Sequence, residues 1–339
     1  MQELVSVIIT TCNGDNRLCR AIRSVISQTY DNIEIIVVDD NGEATEGQIK
    51  TEKLLREFIA SNTISYIKHD VNRNGAVARN TGFKQSRGKY IAFLDDDDYY
   101  MPTRIEKMVS AMSSSDVSAV YSDVFFFYNN RIESEMKAKR SGFTAEELMI
   151  YGSLLGTGSN IFVKRESYEK LGGFDETFNR YQDLEFMIRV LEKGNIVGVG
   201  EPLVVKDISD LRFFPQYSKM LNTQQHFISK FLNEINHLSS KNRRTFYFYR
   251  RKELLLSAYF SKNKKNIEEA QKLLISDVGS LSLKEKASIA IRRIYMLYIY
   301  SQFGFVRKFV HFSKRKRFAI KADSDTKAAV NEALRIASY

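Results

Sequence analysis

The chain has 339 residues, 43% of them hydrophobic and 27% charged, with 17 Gly, 3 Pro and a formal net charge of +10. That length exceeds one module of roughly 100 to 200 residues, and the composition excludes a disordered or collagen-like chain. The two cysteines, Cys12 and Cys19, and four scattered histidines, His69, His226, His237 and His311, exclude a disulfide scaffold and a Cys/His zinc site. Any metal here needs oxygen ligands.

At the N-terminus Glu3 stands where a secretory signal would carry positive charge. No run reaches the roughly 18 apolar residues of a membrane-spanning helix. A cytoplasmic protein is expected. Leu4 to Thr11 and Ile33 to Val38 are apolar nearly throughout, as strands buried on both faces of a parallel sheet are, and between them Leu18, Ile22, Val25 and Ile26 share one helical face. The alternation continues with a helix over Glu46 to Ala60, a strand at Ile64 to Lys68, a helix over Gly75 to Gln85 and a strand at Tyr90 to Leu94. Successive units of this kind predict right-handed crossovers and a doubly wound α/β sheet.

From about Ser209 the pattern changes to helices rich in Tyr, Phe, Lys and Arg, with a final short helix over Thr326 to Ala337. Two domains are expected, 1–208 and 209–339. Between Lys284 and Arg317 ten bases face one acid, Glu285, so most of the net charge belongs to this appendage. From Ile289 to Phe318 the bases are interleaved with Tyr295, Tyr298, Phe303, Phe305, Phe309 and Phe312. That pattern fits a helix on an anionic bilayer, and equally an ordinary core with a solvated basic face; nucleic acid ranks below both.

Ligands of doubly wound sheets bind beyond the carboxyl ends of the strands. Those ends carry Thr10-Thr11-Cys12-Asn13-Gly14, Asp39-Asp40-Asn41-Gly42 and Asp95-Asp96-Asp97-Asp98. Four consecutive carboxylates repel one another unless a cation neutralises them, and hard oxygen ligands select Mg²⁺ or Mn²⁺. The alternatives are a solvated acidic turn capping the helix near Pro102, and for Asp39 and Asp40 a simple turn before Gly42.

Taken together these blocks resemble the family 2 glycosyltransferases. The resemblance runs through Val5 to Asn13, Ala21 to Thr29, Val37 to Asp40, Gly75 to Gly82, Gly88 to Asp98, Gly172 to Glu176 and Gln182 to Arg189, covering about the first 205 residues. It implies a GT-A fold, a Rossmann-like doubly wound mixed sheet, with a C-terminal α-helical extension. By the same resemblance Thr10 contacts the nucleotide base, Asp40 accepts the uracil imide N–H, Asp39 braces the loop, and Arg79 faces the nucleotide with Asn80 beside it.

The acidic run corresponds to the Asp-x-Asp motif, with Asp95 near the ribose, Asp97 as direct metal ligand, and Asp96 and Asp98 interchangeable by a slip of register. Asp183 matches the catalytic base. The family usually has Glu-Asp where this chain has Gln182-Asp183, which removes one flanking charge. Gly156 to Ser159 and Gly172 to Glu176 resemble acceptor-side loops.

The implied activity is inverting, metal-dependent hexosyl transfer from a UDP-sugar to a hydroxyl of a glycan or undecaprenyl-linked acceptor in surface-polysaccharide synthesis, at the inner face of the cell membrane. The alternative is a catalytically idle member of the fold that binds a nucleotide sugar or a membrane. A nucleotidyltransferase is less well supported, because no Gly-rich phosphate loop follows the first strand.

Overall fold

The computed structural model describes residues 2–112, 116–128, 131–152, 154–209, 216–300 and 324–337. By contacts the chain divides into one unit of residues 1–145, 153–209 and 322–339 and a second of residues 146–152 and 210–321. The last helix, Ser324–Ala337, therefore packs with the first unit, where the Tyr99 hydroxyl donates to the carbonyl of Ala333 at 3.1 Å.

In the first unit β1 (Val5–Thr11), β2 (Ile33–Asp39), β3 (Ser65–Lys68) and β4 (Tyr90–Asp95) pair in parallel, in the order β3-β2-β1-β4. The connecting helices are α1 (Asn16–Ile26), α2 (Glu46–Ala60) and α3 (Gly75–Gln85). These are the expected units, with ends moved by a residue or two. The sheet then becomes mixed. Short β8 (Phe162–Lys164) runs antiparallel between β4 and β6 (Val117–Phe127), and long β9 (Asn195–Asp207) pairs in parallel with β6. Two-residue β5 (Tyr99–Tyr100) closes the far edge, and β7 (Ile132–Met136) adds a strand to β6. The strand-edge order is β3-β2-β1-β4-β8-β6-β9-β5.

Capping residues set the entry of each crossover helix. Asp15 accepts from the amide of Arg17, Thr45 from that of Gln48, and Asn74 from those of Ala76 and Val77. Helix α3 approaches the sheet closely because its inner face is small. A Cβ built on Gly82 would fall 2.4 Å from Ile8 Cγ2, inside van der Waals contact. That close seat carries Arg79, one turn earlier, to the strand ends.

After the short helices α4 (Arg104–Ala111), α5 (Ala145–Tyr151) and α6 (Arg165–Leu171), a second core element fixes α7 (Gln182–Lys193). Phe93, Tyr168, Phe174 and Phe186 cluster with ring centroids 4.6 to 5.9 Å apart, and the side chain of Phe186 is fully buried. Burying such a ring contributes about 1.5–3 kcal/mol and sets the rotation of the helix. Arg189 ties the same helix to the glycine turn, donating to the carbonyls of Leu171 and Gly173 at 2.8 Å while paired with buried Glu185. Gly172 and Gly173 both hold positive φ, which is why the chain turns there on glycines.

The second unit is helical: α8 (Tyr217–Lys230), α9 (Leu232–His237), α10 (Ser240–Ser261), α11 (Lys264–Val278) and α12 (Leu283–Tyr300). None of the described helices is long and apolar enough to cross a membrane. Arg244 on α10 holds the start of α12 through a two-pronged pair with Glu285 at 2.6 and 3.0 Å. Helix α12 covers the first part of the basic aromatic stretch, up to residue 300; positions 301–318 lie outside the described residues.

Candidate active site

The strand ends of β1, β2 and β4 come together as neighbours in register. Thr10 pairs with Val38 and with Asp95. Thr10 is half-buried, and the next residue, Thr11, donates its hydroxyl to Asp96 Oδ2 at 2.5 Å. Asp39 and Asp40 are both buried, and both are braced by the protein. Asp39 accepts from the Asn41 amide and the Tyr66 hydroxyl, as a loop brace does. Asp40 faces His69 Nδ1 at 2.7 Å and accepts from the amides of Arg73 and Asn74 at 2.8 and 2.9 Å. His69 and Asn74 carry no motif of their own, so sequence reading passes over them.

Arg79 is placed between two partners. Nη2 donates to Asp95 Oδ1 at 2.6 Å and Nη1 to Gln182 Oε1 at 2.6 Å. The departure at position 182 thus has a visible consequence. A neutral amide there accepts one hydrogen bond and leaves the full charge of Arg79 directed at Asp95. Asn80 turns inward, accepting from the Phe174 amide and the Tyr168 hydroxyl and donating to the carbonyl of Phe174 and to Glu176. It anchors the 172–176 turn instead of lining the cleft.

Asp95, Asp97 and Asp98 each bring one carboxylate oxygen within 4.8 Å of the others. Asp96 points the other way, to Thr11. Hard oxygen donors in that spacing fit Mg²⁺ or Mn²⁺. Asp98 is fully buried; its Oδ2 accepts from the hydroxyls of Thr157 and Ser159 at 2.8 and 2.6 Å, and its Oδ1 faces the Asp207 amide at 3.2 Å. The Ser159 hydroxyl also accepts from the Asp95 amide at 3.0 Å. The Gly156 to Ser159 turn therefore supports the acidic loop. Arg20 clamps the other side, donating to the carbonyl of Asp97 at 2.8 Å and to Asp207 at 2.9 Å.

Crowding shifts the acidities of these groups. Burial, then the charges of Asp98 and Asp95, push the Asp97 carboxyl up to about 8. Burial pushes Asp96 up to about 7 against the pull of the Thr11 hydroxyl. Asp98 is raised by burial as well. Asp95 alone goes down: burial opposes its charge, but Arg79 and Lys206 outweigh burial. Lys206, near the end of β9, is the other cation of the group. Burial disfavours its ammonium, yet Asp98, Asp95, Asp97 and Asp183 together hold it above the ordinary range.

Asp183 lies in the first turn of α7, where its Oδ1 accepts from the Leu184 amide at 2.9 Å. A Cβ built on Gly158 would sit 3.9 Å from Asp183 Oδ2 and 3.6 Å from Arg79 Nη2. The 157–159 turn thus holds the acidic group through its hydroxyls, and at Gly158 it leaves open the space beside the Asp183 carboxylate.

A model of Glycosyl transferase family 2 matches residues 6–172. Curated relatives include an uncharacterized glycosyltransferase, MJ1057 of Methanocaldococcus jannaschii, 30% identical over 209 residues that span 60% of this chain and 70% of the relative. Another is the UDP-Glc:alpha-D-GlcNAc-diphosphoundecaprenol beta-1,3-glucosyltransferase WfgD of Escherichia coli, 29% identical over 199 residues, 58% of this chain and 73% of the relative. Among solved structures, the mannosyltransferase PcManGT of Pyrobaculum calidifontis, in complex with GDP-Man and Mn²⁺, superposes with a TM-score of 0.52 at 17% identity, covering 98% of this chain and 86% of that one. The likeness to the solved structure is one of fold, GT-A with a helical C-terminal region. Strand-end blocks, sheet order and relatives agree: this chain is a glycosyltransferase and belongs to family 2.

Proposed function

We propose that the protein is an inverting, metal-dependent transferase that moves a hexosyl group from a UDP-sugar to a hydroxyl of a lipid-linked saccharide. The observation that carries this is the 157–159 turn, which bonds Asp98 through Thr157 and Ser159 and has Asp183 beside its glycine. That proximity supports a reading in which a leaving diphosphate is neutralised and an acceptor loses its proton in one cleft. Thr10, Asp40, Arg79, Asp95 and Asp96 form the nucleotide side, with Asp97 as direct ligand of a divalent cation. When bound, Mg²⁺ or Mn²⁺ supplies Lewis-acid charge to the departing diphosphate. Asp183 takes the proton from the acceptor hydroxyl as that oxygen attacks the anomeric carbon from the face opposite the diphosphate, so the configuration inverts. The name of WfgD, with UDP-glucose as donor and a diphosphoundecaprenol-linked sugar as acceptor, and the Mn²⁺ bound by PcManGT support this choice of substrates and cation.

The test is UDP release from a panel of UDP-sugars with Mn²⁺ or Mg²⁺ and a diphosphoundecaprenol-linked sugar. One donor should be consumed, and EDTA should stop it. If every donor stays intact while UDP still binds, the chain is a nucleotide-sugar-binding scaffold.

The acceptor class gives a role to α12. Leu283, Ile291 and Ile294 are strongly exposed there, beside exposed Lys284, Lys286, Arg292 and Arg293. Apolar and basic side chains on one helix suit an anionic membrane surface at the cytoplasmic face, each base adding about 1 kcal/mol. Replacing Lys284, Lys286 and Arg292 with Gln is therefore expected to weaken flotation with phosphatidylglycerol vesicles by about a hundredfold, leaving UDP binding unchanged. Flotation equal to wild type would leave these bases as a solvated face.

A further inference from the structure

Two fixed cations face the carboxylates of the cleft, and they are not equivalent. Arg79 has both terminal nitrogens engaged, with Asp95 and Gln182, and stacks over the Phe174 ring at 5.5 Å. Lys206 has three N–H donors, and among the described residues its one hydrogen bond goes to Thr157 Oγ1 at 3.2 Å. Its nearest carboxylate oxygen, Asp98 Oδ2, is 4.0 Å away and already holds two hydroxyls. Lys206 is thus kept in the cleft by charge more than by short bonds, and its side chain is 31% exposed. A compact ammonium on a flexible stem can reorient at small cost toward a stronger anion.

The donor reading says what that anion is. Asp95, Asp97, Asp98 and Asp183 surround the cleft, with Arg79 and Lys206 as its fixed cations. A nucleoside diphosphate adds at least two more negative charges. It needs a hydrogen-bond donor that is not already committed, and Lys206 is placed to be one.

We propose that Lys206 is the phosphate-binding arm of the donor site: without nucleotide its ammonium offsets the carboxylates around Asp98, and with nucleotide it donates to a diphosphate oxygen. This rests on the donor reading above. It carries a signature that loss of structure cannot imitate. Without nucleotide Lys206 repels a divalent cation held by the same carboxylates, so removing it should strengthen cation binding while weakening nucleotide binding. A unit charge beside a divalent cation, or beside a diphosphate, meets more than one opposite or like charge, so each affinity is expected to change by about tenfold.

The experiment measures two affinities for wild type, Lys206→Met and Lys206→Arg: Mn²⁺ alone, by the electron-spin-resonance signal of the free ion, and UDP alone in EDTA, by calorimetry. The bonds of Asp98 to Thr157, Ser159 and the Asp207 amide do not use the Lys206 side chain, and unfolding temperatures check that the fold is retained. The expected result is Mn²⁺ bound about tenfold tighter and UDP about tenfold weaker by Lys206→Met, with Lys206→Arg near wild type in both. Two unchanged affinities, or two weakened together, would overturn the proposal. A wild type that binds neither Mn²⁺ nor UDP would overturn the donor reading itself, a result distinct from both.

Discussion

Asp183→Asn is expected to lower sugar transfer about a thousandfold, within the range general-base removal spans, while UDP affinity stays within about twofold. The side chain sits at the start of α7, whose rotation is fixed by Phe186 in its aromatic cluster and by Arg189 on the 171–173 turn. Asparagine has nearly the same shape, and its amide oxygen can still accept from the Leu184 amide, so the helix keeps its start. What disappears is the ability to take a proton. A scaffold role predicts something else, because there the substitution would alter no turnover at all. Single-turnover transfer with saturating donor reads the difference, and wild-type rates in the variant would remove Asp183 from the chemistry. Weakened UDP binding of similar size would instead make it a donor-site residue.

How far the sequence foretold this site depended on where its residues lie in the chain. The strands β1, β2 and β4 and the helices α2 and α3 were legible because each is a short apolar run or a capped periodic segment. α3 spans Gly75–Gln85, the range its pattern predicts. The acidic run stood out for a similar local reason: four like charges at a strand end demand an explanation. Lys206, Arg20, Asp207, Thr157 and Ser159 were not legible as a group. Lys206 follows four apolar residues near the end of a strand, and in one dimension nothing distinguishes it from an edge lysine. The antiparallel pairing of β5 with β9, Tyr99 opposite Val205, carries it to Asp98, one residue beyond that pair on each strand. The inward turn of Asn80 was hidden in the same way. Its partners at 168 and 174–176 lie about 90 residues downstream, in the turn that positions α7. Local patterns show which strand ends are polar; long-range pairing decides which of those polar groups meet.

Asp97→Asn should abolish metal-stimulated transfer, by about a thousandfold or more, and yet leave the metal-free protein as stable as wild type or more so. The two halves have one cause. Asp97 shares its surroundings with Asp98 and Asp95, and burial and those charges hold its carboxyl up to about 8. An amide of the same size relieves that repulsion, whereas an ordinary paired surface acid would lose a favourable interaction when neutralised. Several kcal/mol of charge stabilisation at the leaving diphosphate disappear when the ion loses a direct ligand, which is what a thousandfold loss requires. Asp96→Asn separates the reading from its neighbour by one residue, since Asp96 bonds Thr11 and lies outside the group of three. It should keep most of its Mn²⁺ affinity. Thermal unfolding in EDTA, Mn²⁺ titration and transfer assays on both variants check the pair. If Asp96→Asn loses Mn²⁺ and Asp97→Asn retains it, the direct ligand is Asp96, and the acidic loop must rearrange when the donor binds.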